Sequence, residues 1–307
     1  MIYLNCIFKN AIKGVNFMRD YVIITDSTTD LTQELINELD ITVIPMEFNI
    51  DGKGYLNYSD ERDISYKEFY DFLRNGKNST TSLINTTTFT ELFEPILEDG
   101  KDILYIAFSS GLSGTYNSSC IAAQMLSEKY TDSKIYTVDS LSASMGEGLL
   151  VYHAVNKKKE GMNIDELKDW VENNKLNLCH WFTVDDLHHL KRGGRLSSAA
   201  AIVGTMLNIK PVLNVDNEGH LIPVEKVRGR KLSITAMLKM MEKTAINPEE
   251  QTIFISHGDC LEEAEFLANL VKEKLNVKDI KMNYIGPVIG SHSGPGTIAL
   301  FFLGTER

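Results

Sequence analysis

Clusters of hydroxyl and carboxyl side chains follow the predicted strands of this chain, and they are the first candidates for ligand chemistry. Thr25-Asp26-Ser27 follows the first predicted strand, and Asp139-Ser140 follows the fourth. Two further clusters span residues 79–82 and 109–116. The carboxyl ends of parallel strands meet at one edge of a sheet, where the ligands of open α/β folds gather. Helix capping is the alternative for each cluster, and we expect capping or turn formation for Asp30.

The segment 109–116 has the strongest features of an anion-binding site. Gly111 and Gly114 let the backbone approach a ligand closely. The helix predicted to follow directs its free N–H groups and the positive end of its dipole at the same point, where Ser113 adds a hydroxyl. No Gly-Lys-Ser/Thr follows, so this is not a phosphate-binding P-loop. The segment also comes close to the nucleophile elbow G-x-S-x-G, and a serine hydrolase with Ser113 as nucleophile and His257 or His292 as base stays open.

Two later segments add a guanidinium and an imidazole group. Arg192 and Arg195 flank a Gly-Gly pair, and the planar fork of arginine matches a carboxylate or a phosphate. The small residues of 198–204 leave room for close helix packing or for an acyl chain. His292 lies in 290–296, which is rich in glycine and proline and is predicted to be a rigid loop. A lone histidine is more often structural, but such loops also carry binding residues.

The elements that must position these groups alternate along the first half of the chain. Short apolar runs predict strands over 21–25, 41–46, 103–107 and 135–138. Amphipathic segments predict helices over 31–38, 65–74, 88–98, 115–127 and 146–159. This alternation predicts an α/β domain with a mainly parallel sheet that is flanked by helices.

The second half of the chain predicts an α+β domain with a mixed sheet. A turn signal at 216–219 separates two strand-like runs, which favours antiparallel pairing. The predicted strands cover 212–215, 221–227, 252–256, 279–284 and 298–302, and the predicted helices cover 231–243 and 261–270. We therefore predict an α/β protein of two domains, over 20–178 and 179–307, after an N-terminal extension over 1–19.

Composition and charge exclude several classes of protein. The 307 residues include 31 Lys and Arg against 42 Asp and Glu, and the net charge of −11 argues against nucleic-acid binding. The four cysteines are far apart and form no C-x-x-C pair that would bind zinc or carry out redox chemistry. We expect no metal site and no cofactor. Gly and Pro interrupt the longest uncharged run, 282–305, which we predict to be loops and strand rather than a membrane span. With no signal peptide recognised, the expected location is the cytoplasm.

An ordered set of short motifs, from about residue 22 to 303, resembles the DegV family of bacterial fatty-acid-binding proteins. The motifs lie at compatible spacings, and together they are far more specific than any one of them. They are Thr25-Asp26-Ser27, Thr81-Ser82, Leu112-Ser113-Gly114-Thr115-Tyr116, Asp139-Ser140, Lys191-Arg192-Gly193-Gly194-Arg195, Lys210-Pro211, Val227-Arg228-Gly229 and His292 with Gly294-Pro295-Gly296.

The resemblance implies a lipid carrier without catalytic residues, similar to the B-type subunit of a fatty acid kinase. One long-chain fatty acid would lie in a buried tunnel, with its carboxylate held by Thr81 and Ser113. The residues that would support the head group are Ser27, Gly114, Arg195 and His292.

The resemblance also implies a protein partner. A separate, dihydroxyacetone-kinase-like subunit would use ATP to phosphorylate the bound acid and give an acyl-phosphate for phospholipid synthesis. Arg228 matches a position implicated in contact with that partner. One departure concerns the loop after Thr81-Ser82, where this chain has Leu83-Ile84-Asn85 and the family commonly has Gln-Pro. The shape of that loop and the preferred chain length therefore stay open.

Overall fold

The computed structural model describes residues 19–196 and 208–307. Residues 1–18 of the predicted extension over 1–19 and the predicted helix over 198–204 lie outside the described residues. A four-stranded parallel sheet with the order β2-β1-β6-β7 forms the N-terminal half, as predicted. Strands are numbered in chain order, and these four are β1 (Tyr21–Asp26), β2 (Thr42–Ile44), β6 (Asp102–Ala107) and β7 (Ile135–Asp139). The central strand β6 is buried along its whole length, which explains its continuous apolar run.

Helices connect these strands and cover both faces of the sheet. They are α1 (Gln33–Leu39), α2 (Tyr66–Arg74), α3 (Thr86–Glu98), α4 (Thr115–Lys129), α5 (Met145–Lys159) and α6 (Ile164–Asn174). Side chains that accept hydrogen bonds from first-turn N–H groups begin four of them, namely Thr32 for α1, Ser65 for α2, Asn85 for α3 and Asn163 for α6. Most of the predicted helices are confirmed to within two residues at each end.

A small antiparallel sheet, which the sequence analysis did not predict, lies beside the parallel one. Its order is β4-β3-β5, and its strands are β3 (Glu47–Ile50), β4 (Lys53–Leu56) and β5 (Ser79–Thr81). Asp51 and Gly52 connect β3 to β4 with φ of 47° and 91°, the two positive values that a two-residue hairpin turn requires. Strands of three or four residues give too short an alternation to be detected. This sheet matters for the site because Thr81 ends β5.

A six-stranded mixed sheet with the order β10-β9-β8-β13-β11-β12 forms the C-terminal half. Only β11 and β12 pair in parallel; the other neighbours are antiparallel, so the predicted mixed sheet is confirmed. The strands are β8 (Leu178–Thr183), β9 (Ile209–Val215), β10 (Leu221–Arg228), β11 (Thr252–His257), β12 (Asp279–Tyr284) and β13 (Ile298–Leu303).

The C-terminal helices include one that corrects a prediction. They are α7 (Leu187–Arg192), α8 (Arg230–Thr244), α9 (Leu261–Leu275) and α10 (Pro287–Ser293). The prediction of a loop over 290–296 is wrong for its first half, because α10 runs to Ser293. Proline at the first helical position is compatible with a helix start, and Gly294 ends the helix with φ of 79°. Within the described part of the chain, no helix is long and apolar enough to cross a membrane.

Helix α5 joins the two large sheets. Its residues Leu149 and Val151 are fully buried in a cluster that also contains Leu104 from β6 and Phe301 from β13. The parallel sheet and the mixed sheet therefore share one hydrophobic core through this helix. The predicted domain boundary at 178/179 falls at the first residue of β8.

Candidate ligand-binding cavity

A cavity of about 190 Å³ lies where the three sheets approach one another. Because a water-sized group needs about 10–15 Å³, the cavity has room for on the order of fifteen such groups in a row or cluster. Most of its wall is apolar, with side chains contributed by the loop after β6, the mixed sheet, α7 and α10. Representative lining residues are Phe108, Leu112, Phe182, Leu190, Val288 and Ile289.

Polar groups gather at one end of the cavity, where Thr81 meets His292. The hydroxyl oxygen of Thr81 lies 2.8 Å from Nε2 of His292, which α10 carries. Burial, with the nearby charge of Arg195 as a second cause, lowers the pKa of His292 to about 4. The imidazole is therefore neutral at pH 7, and it can donate one hydrogen bond and accept another.

The ring of His292 is held tightly on its other side. A Cβ placed on Gly193 would lie 2.3 Å from Nδ1 of His292, so only glycine leaves room for this ring. Nδ1 itself is buried, and it has no hydrogen-bond partner within residues 19–196 and 208–307. The two segments that sequence analysis singled out separately, the Gly-Gly turn and the His292 motif, therefore form one contact.

Ser113 and Gly114 lie beside this pair, at the start of α4. The hydroxyl oxygen of Ser113 lies 2.9 Å from that of Thr115 and accepts a hydrogen bond from the Thr115 N–H at 3.2 Å. Gly114 occupies the N-cap position of α4 and has no side chain to satisfy the first-turn N–H groups. The free N–H groups and the positive end of the helix dipole therefore face a point next to two hydroxyls, which favours an anion there.

Arg195 supplies a positive charge to the same end. Its Nε donates to the carbonyl of Leu112 at 3.1 Å, and one terminal nitrogen donates to the carbonyl of Gly193 at 2.6 Å. These bonds fix the half-buried guanidinium against the loop that carries Ser113. No carboxylate of the described residues forms an ion pair with Arg195, so its charge is left to attract an anion.

The polar end of the cavity is the end nearest the solvent. Ser82, Leu83 and Gly114 all line the cavity, and all three are exposed. The side chain of Leu83, one of the residues that depart from the family pattern, is 48% exposed and packs against Gly114. The opposite end, lined by residues of the mixed sheet such as Phe182 and Ala299, is buried.

Two predicted residues lie away from this cluster. Ser27 is buried behind the wall, where its hydroxyl accepts a hydrogen bond from the N–H of Met46 at 3.0 Å; Met46 lines the cavity and Ser27 does not. Arg228 is exposed at the end of β10, an edge strand of the mixed sheet. Thr81, Ser113, Gly114, Arg195 and His292 are brought together, whereas Ser27 and Arg228 are not part of that group.

A cluster of three carboxyl groups behind the wall was missed by sequence analysis. Asp26, Asp30 and Glu147 are each at most 3% exposed. Burial raises the pKa of all three, and that of Asp30 reaches about 8. The signal in the sequence is the acidic Glu147 inside the apolar start of α5.

The hydrogen bonds within this cluster indicate which carboxyl group is protonated. The hydroxyl oxygen of Thr28 lies 2.5 Å from Oδ1 of Asp26 and 2.7 Å from Oε2 of Glu147. Because a hydroxyl donates only one proton, one of these two carboxyl groups has to donate to Thr28. Asp26 also accepts from the hydroxyl of Tyr105 at 2.7 Å, which favours its charged form. We therefore assign the proton to Glu147.

Asp30 links this cluster to the cavity. Its backbone closes a short turn with φ of 52°, as expected for turn formation. Its side chain also bonds to residues that are distant in the sequence. Its Oδ2 accepts from the hydroxyl of Ser144 at 2.5 Å, and its Oδ1 accepts from the N–H of Gly286 at 2.9 Å. Ser144 lines the cavity, and Gly286 immediately precedes α10. The carboxyl group thus ties the two halves of the chain together next to the cavity.

The geometry does not favour the serine hydrolase. Ser113 is hydrogen-bonded to Thr115, and within the described residues neither His257 nor His292 forms a hydrogen bond with it. His292 is bonded to Thr81 through Nε2, and its Nδ1 lacks the carboxylate that would orient a catalytic base. The described residues also contain no group of three or more His, Cys, Asp or Glu side chains that could hold a metal ion.

Comparison with known sequences identifies a family over nearly the whole chain. A family model described as "Uncharacterised protein, DegV family" matches residues 20–305. A DegV domain-containing protein of Clostridium perfringens is 51% identical over 290 residues, which cover 94% of this chain and 99% of that protein.

Solved structures agree with this assignment. A DegV family protein from Thermus thermophilus, described for its fatty acid binding, matches with a TM-score of 0.84 and 30% identity over 93% of this chain and 99% of that one. DegV from Bacillus subtilis, described as a fatty acid binding protein, matches with a TM-score of 0.82 and 29% identity over 94% and 100%. Since the family model and the Clostridium relative both cover nearly the whole sequence, the chain belongs to the DegV family.

Proposed function

We propose that this protein binds one long-chain fatty acid in the cavity, with the carboxylate at the polar end and the acyl chain along the apolar wall. The observation that carries the proposal is the division of the cavity into these two ends. Burying the acyl chain favours binding by about 0.8 kcal/mol per CH₂ group. The fatty-acid-binding proteins among the structural relatives support the same ligand class.

In this proposal the carboxylate is compensated without a full salt bridge. Thr81 and Ser113 donate hydrogen bonds to it, and the first-turn N–H groups of α4 lie beside them. The charge of Arg195 and the neutral imidazole of His292 complete the environment. This arrangement meets the requirement that a carboxylate removed from water be hydrogen-bonded or paired.

We further propose that the protein is a carrier and that a separate ATP-dependent fatty acid kinase phosphorylates the bound carboxylate. The acyl-phosphate would then serve phospholipid synthesis, and the protein itself would act in the cytoplasm without catalytic residues. The proposal is supported by the exposure of Ser82, Leu83 and Gly114 at the carboxylate end, which a partner's active site could reach. Arg228, exposed on an edge strand, is the proposed contact with that partner.

A double variant tests the carboxylate site. We expect Thr81→Ala with Ser113→Ala to lose most of the fatty acid that copurifies with the wild type, because the carboxylate would lose two hydrogen bonds to charged oxygen, each worth about 1.5–3 kcal/mol. The measurement is solvent extraction and quantification of lipid per mole of protein.

The matched control removes two hydroxyls away from the cavity, Ser127→Ala with Thr235→Ala, both of which bond only to helix carbonyls. Its lipid content is expected to equal that of the wild type, as is the melting temperature of both double variants to within a few degrees. Full retention of fatty acid by the Thr81 and Ser113 variant would place the carboxylate elsewhere.

A further inference from the structure

We propose that the cavity recognises a fatty acid that carries a hydroxyl group partway along its acyl chain, and that His180 is the residue that binds this hydroxyl. The inference rests on the proposed fatty-acid function and adds a specificity to it. It depends on where His180 lies, how it is surrounded and which of its nitrogens is free.

His180 lies on the acyl side of the cavity. Thr297, just before β13, donates to the carbonyls of Ser293 and Gly294, next to His292. Two residues further on, Ala299 pairs with Phe182. His180 pairs with Phe301, two residues further along β13, and lies on the same face of the sheet as Phe182. His180 is therefore about 7 Å further from His292 than Phe182 is. All these positions except Gly294 and Phe301 line the cavity. His180 therefore lines the acyl part of the cavity, further from the carboxylate end than Phe182.

The ring of His180 is buried and packs against two aromatic side chains. The residue is 4% exposed, and its ring centroid lies 4.6 Å from that of Phe301 and 5.5 Å from that of Phe182. Burial, with a smaller effect from Arg307, lowers its pKa to about 3. The imidazole is neutral at pH 7, so it presents one donor and one acceptor nitrogen.

The protein uses the hydrogen-bonding capacity of this imidazole only in part. Nδ1 lies 3.5 Å from the hydroxyl of Ser142, longer than an ordinary hydrogen bond. Nε2 has no partner among residues 19–196 and 208–307. Ser144, the other polar group of this region that lines the cavity, is already bonded to Asp30 and Ser256. A hydrocarbon chain would leave Nε2 without a partner, whereas a hydroxyl group can accept from it or donate to it in either tautomer.

A positional series of ligands tests the proposal on the unmodified protein. The probes are stearic acid and its isomers with a hydroxyl at carbon 3, 6, 9, 10 or 12, in competition for binding measured by native mass spectrometry. A hydroxyl buried without a partner weakens binding by about fivefold or more. We expect one isomer to bind at least as tightly as stearic acid, while the others bind about fivefold to 100-fold more weakly.

The variant His180→Phe keeps a ring of similar size and removes both nitrogens. We expect it to lower the affinity for the favoured isomer about tenfold relative to stearic acid. His153→Phe, which makes the same exchange at a histidine that does not line the cavity, is the control and is expected to leave that ratio unchanged.

The outcomes separate this inference from the proposed function. If stearic acid binds and every hydroxylated isomer binds more weakly, the hydroxyl specificity is wrong and fatty-acid binding stands. If no fatty acid in the series binds, the proposed function itself fails. An unchanged ratio in folded His180→Phe would also overturn the role of His180, and the series on the wild type decides the question if that variant does not fold.

Discussion

Gly193 leaves just enough space for the imidazole of His292, and replacing this glycine tests whether the position of that ring matters for binding. Gly193 ends α7 with φ of −72° and ψ of −8°, a backbone conformation that alanine also adopts. Gly193→Ala therefore adds a methyl group without backbone strain. The new Cβ would lie 2.3 Å from Nδ1 of His292.

The magnitude follows from the two distances around the ring. To reach 3.4 Å, an ordinary contact distance, the ring has to move by about 1.1 Å from the new methyl group. Such a movement away from Gly193 can break the 2.8 Å hydrogen bond between His292 and Thr81. The net loss of one hydrogen bond is about 0.5–1.5 kcal/mol. This corresponds to a roughly twofold to thirteenfold increase in the Kd for palmitate.

The assay is calorimetric titration of delipidated protein with palmitate, and Gly194→Ala is the matched control. Gly194 has φ of 68°, so alanine there costs about 1–2 kcal/mol of stability, but a Cβ at this position meets no atom within 4 Å. We expect Gly193→Ala to weaken palmitate binding and Gly194→Ala to lower only the melting temperature. Wild-type affinity in Gly193→Ala, or equal losses in both variants, would refute the reasoning.

Three further predictions address the charge of the site, the buried carboxyl cluster and the absence of a nucleophile. Arg195→Gln is expected to weaken binding of palmitate but not of hexadecanol, because the charge acts on the carboxylate alone; equal losses would mean that Arg195 only anchors the loop of Leu112. The pKa of Asp30 is raised to about 8 in the folded protein, whereas the unfolded chain releases this proton above about pH 4. Because the folded state binds the extra proton, wild-type stability falls as the pH rises from 4 to 8. Asp30→Asn resembles the neutral acid, and urea unfolding at pH 5 and pH 8 is expected to show a smaller loss in the variant; the same loss in both proteins would contradict the raised pKa. Ser113 is expected to remain unlabelled by a fluorophosphonate probe, and labelling that requires His292 would support a hydrolase instead.

Much of the fold is predictable because its long elements have one dominant pattern. The buried strand β6 is continuously apolar, and helices such as α2 have a strong polar and apolar division. The small sheet of β3 to β5 was missed because its strands are short and largely polar on one face. Helix α10 was missed because glycine and proline have weak helix propensity, which tertiary packing overrides here.

The candidate site was predictable in its residue types but not in its contacts. Ser113, Arg195 and His292 stand out in the sequence through the glycines around them, and the structure brings them to one end of a cavity. The contact between Gly193 and His292 joins segments about 100 residues apart, and no local pattern encodes it. The burial of Asp30 and Glu147 was missed for a related reason, since acidic residues are rarely buried and local sequence predicts their exposure.

The role of His180 was also beyond local reasoning. Its strand, β8, was not among the predicted strands, and its orientation into the cavity depends on the register with β13. A histidine in an apolar strand gives no indication of which face it occupies until the pairing is known. The same holds for Phe182, whose contribution to the wall follows from its pairing with Ala299.

Native mass spectrometry of the purified wild-type protein, followed by extraction and analysis of its lipids, tests the central claim most directly. We predict a mass increment that corresponds to one long-chain fatty acid per chain, and the same acid in the extract. A protein that is empty after purification and takes up neither added palmitate nor added oleate would contradict the assignment of the cavity to a fatty acid.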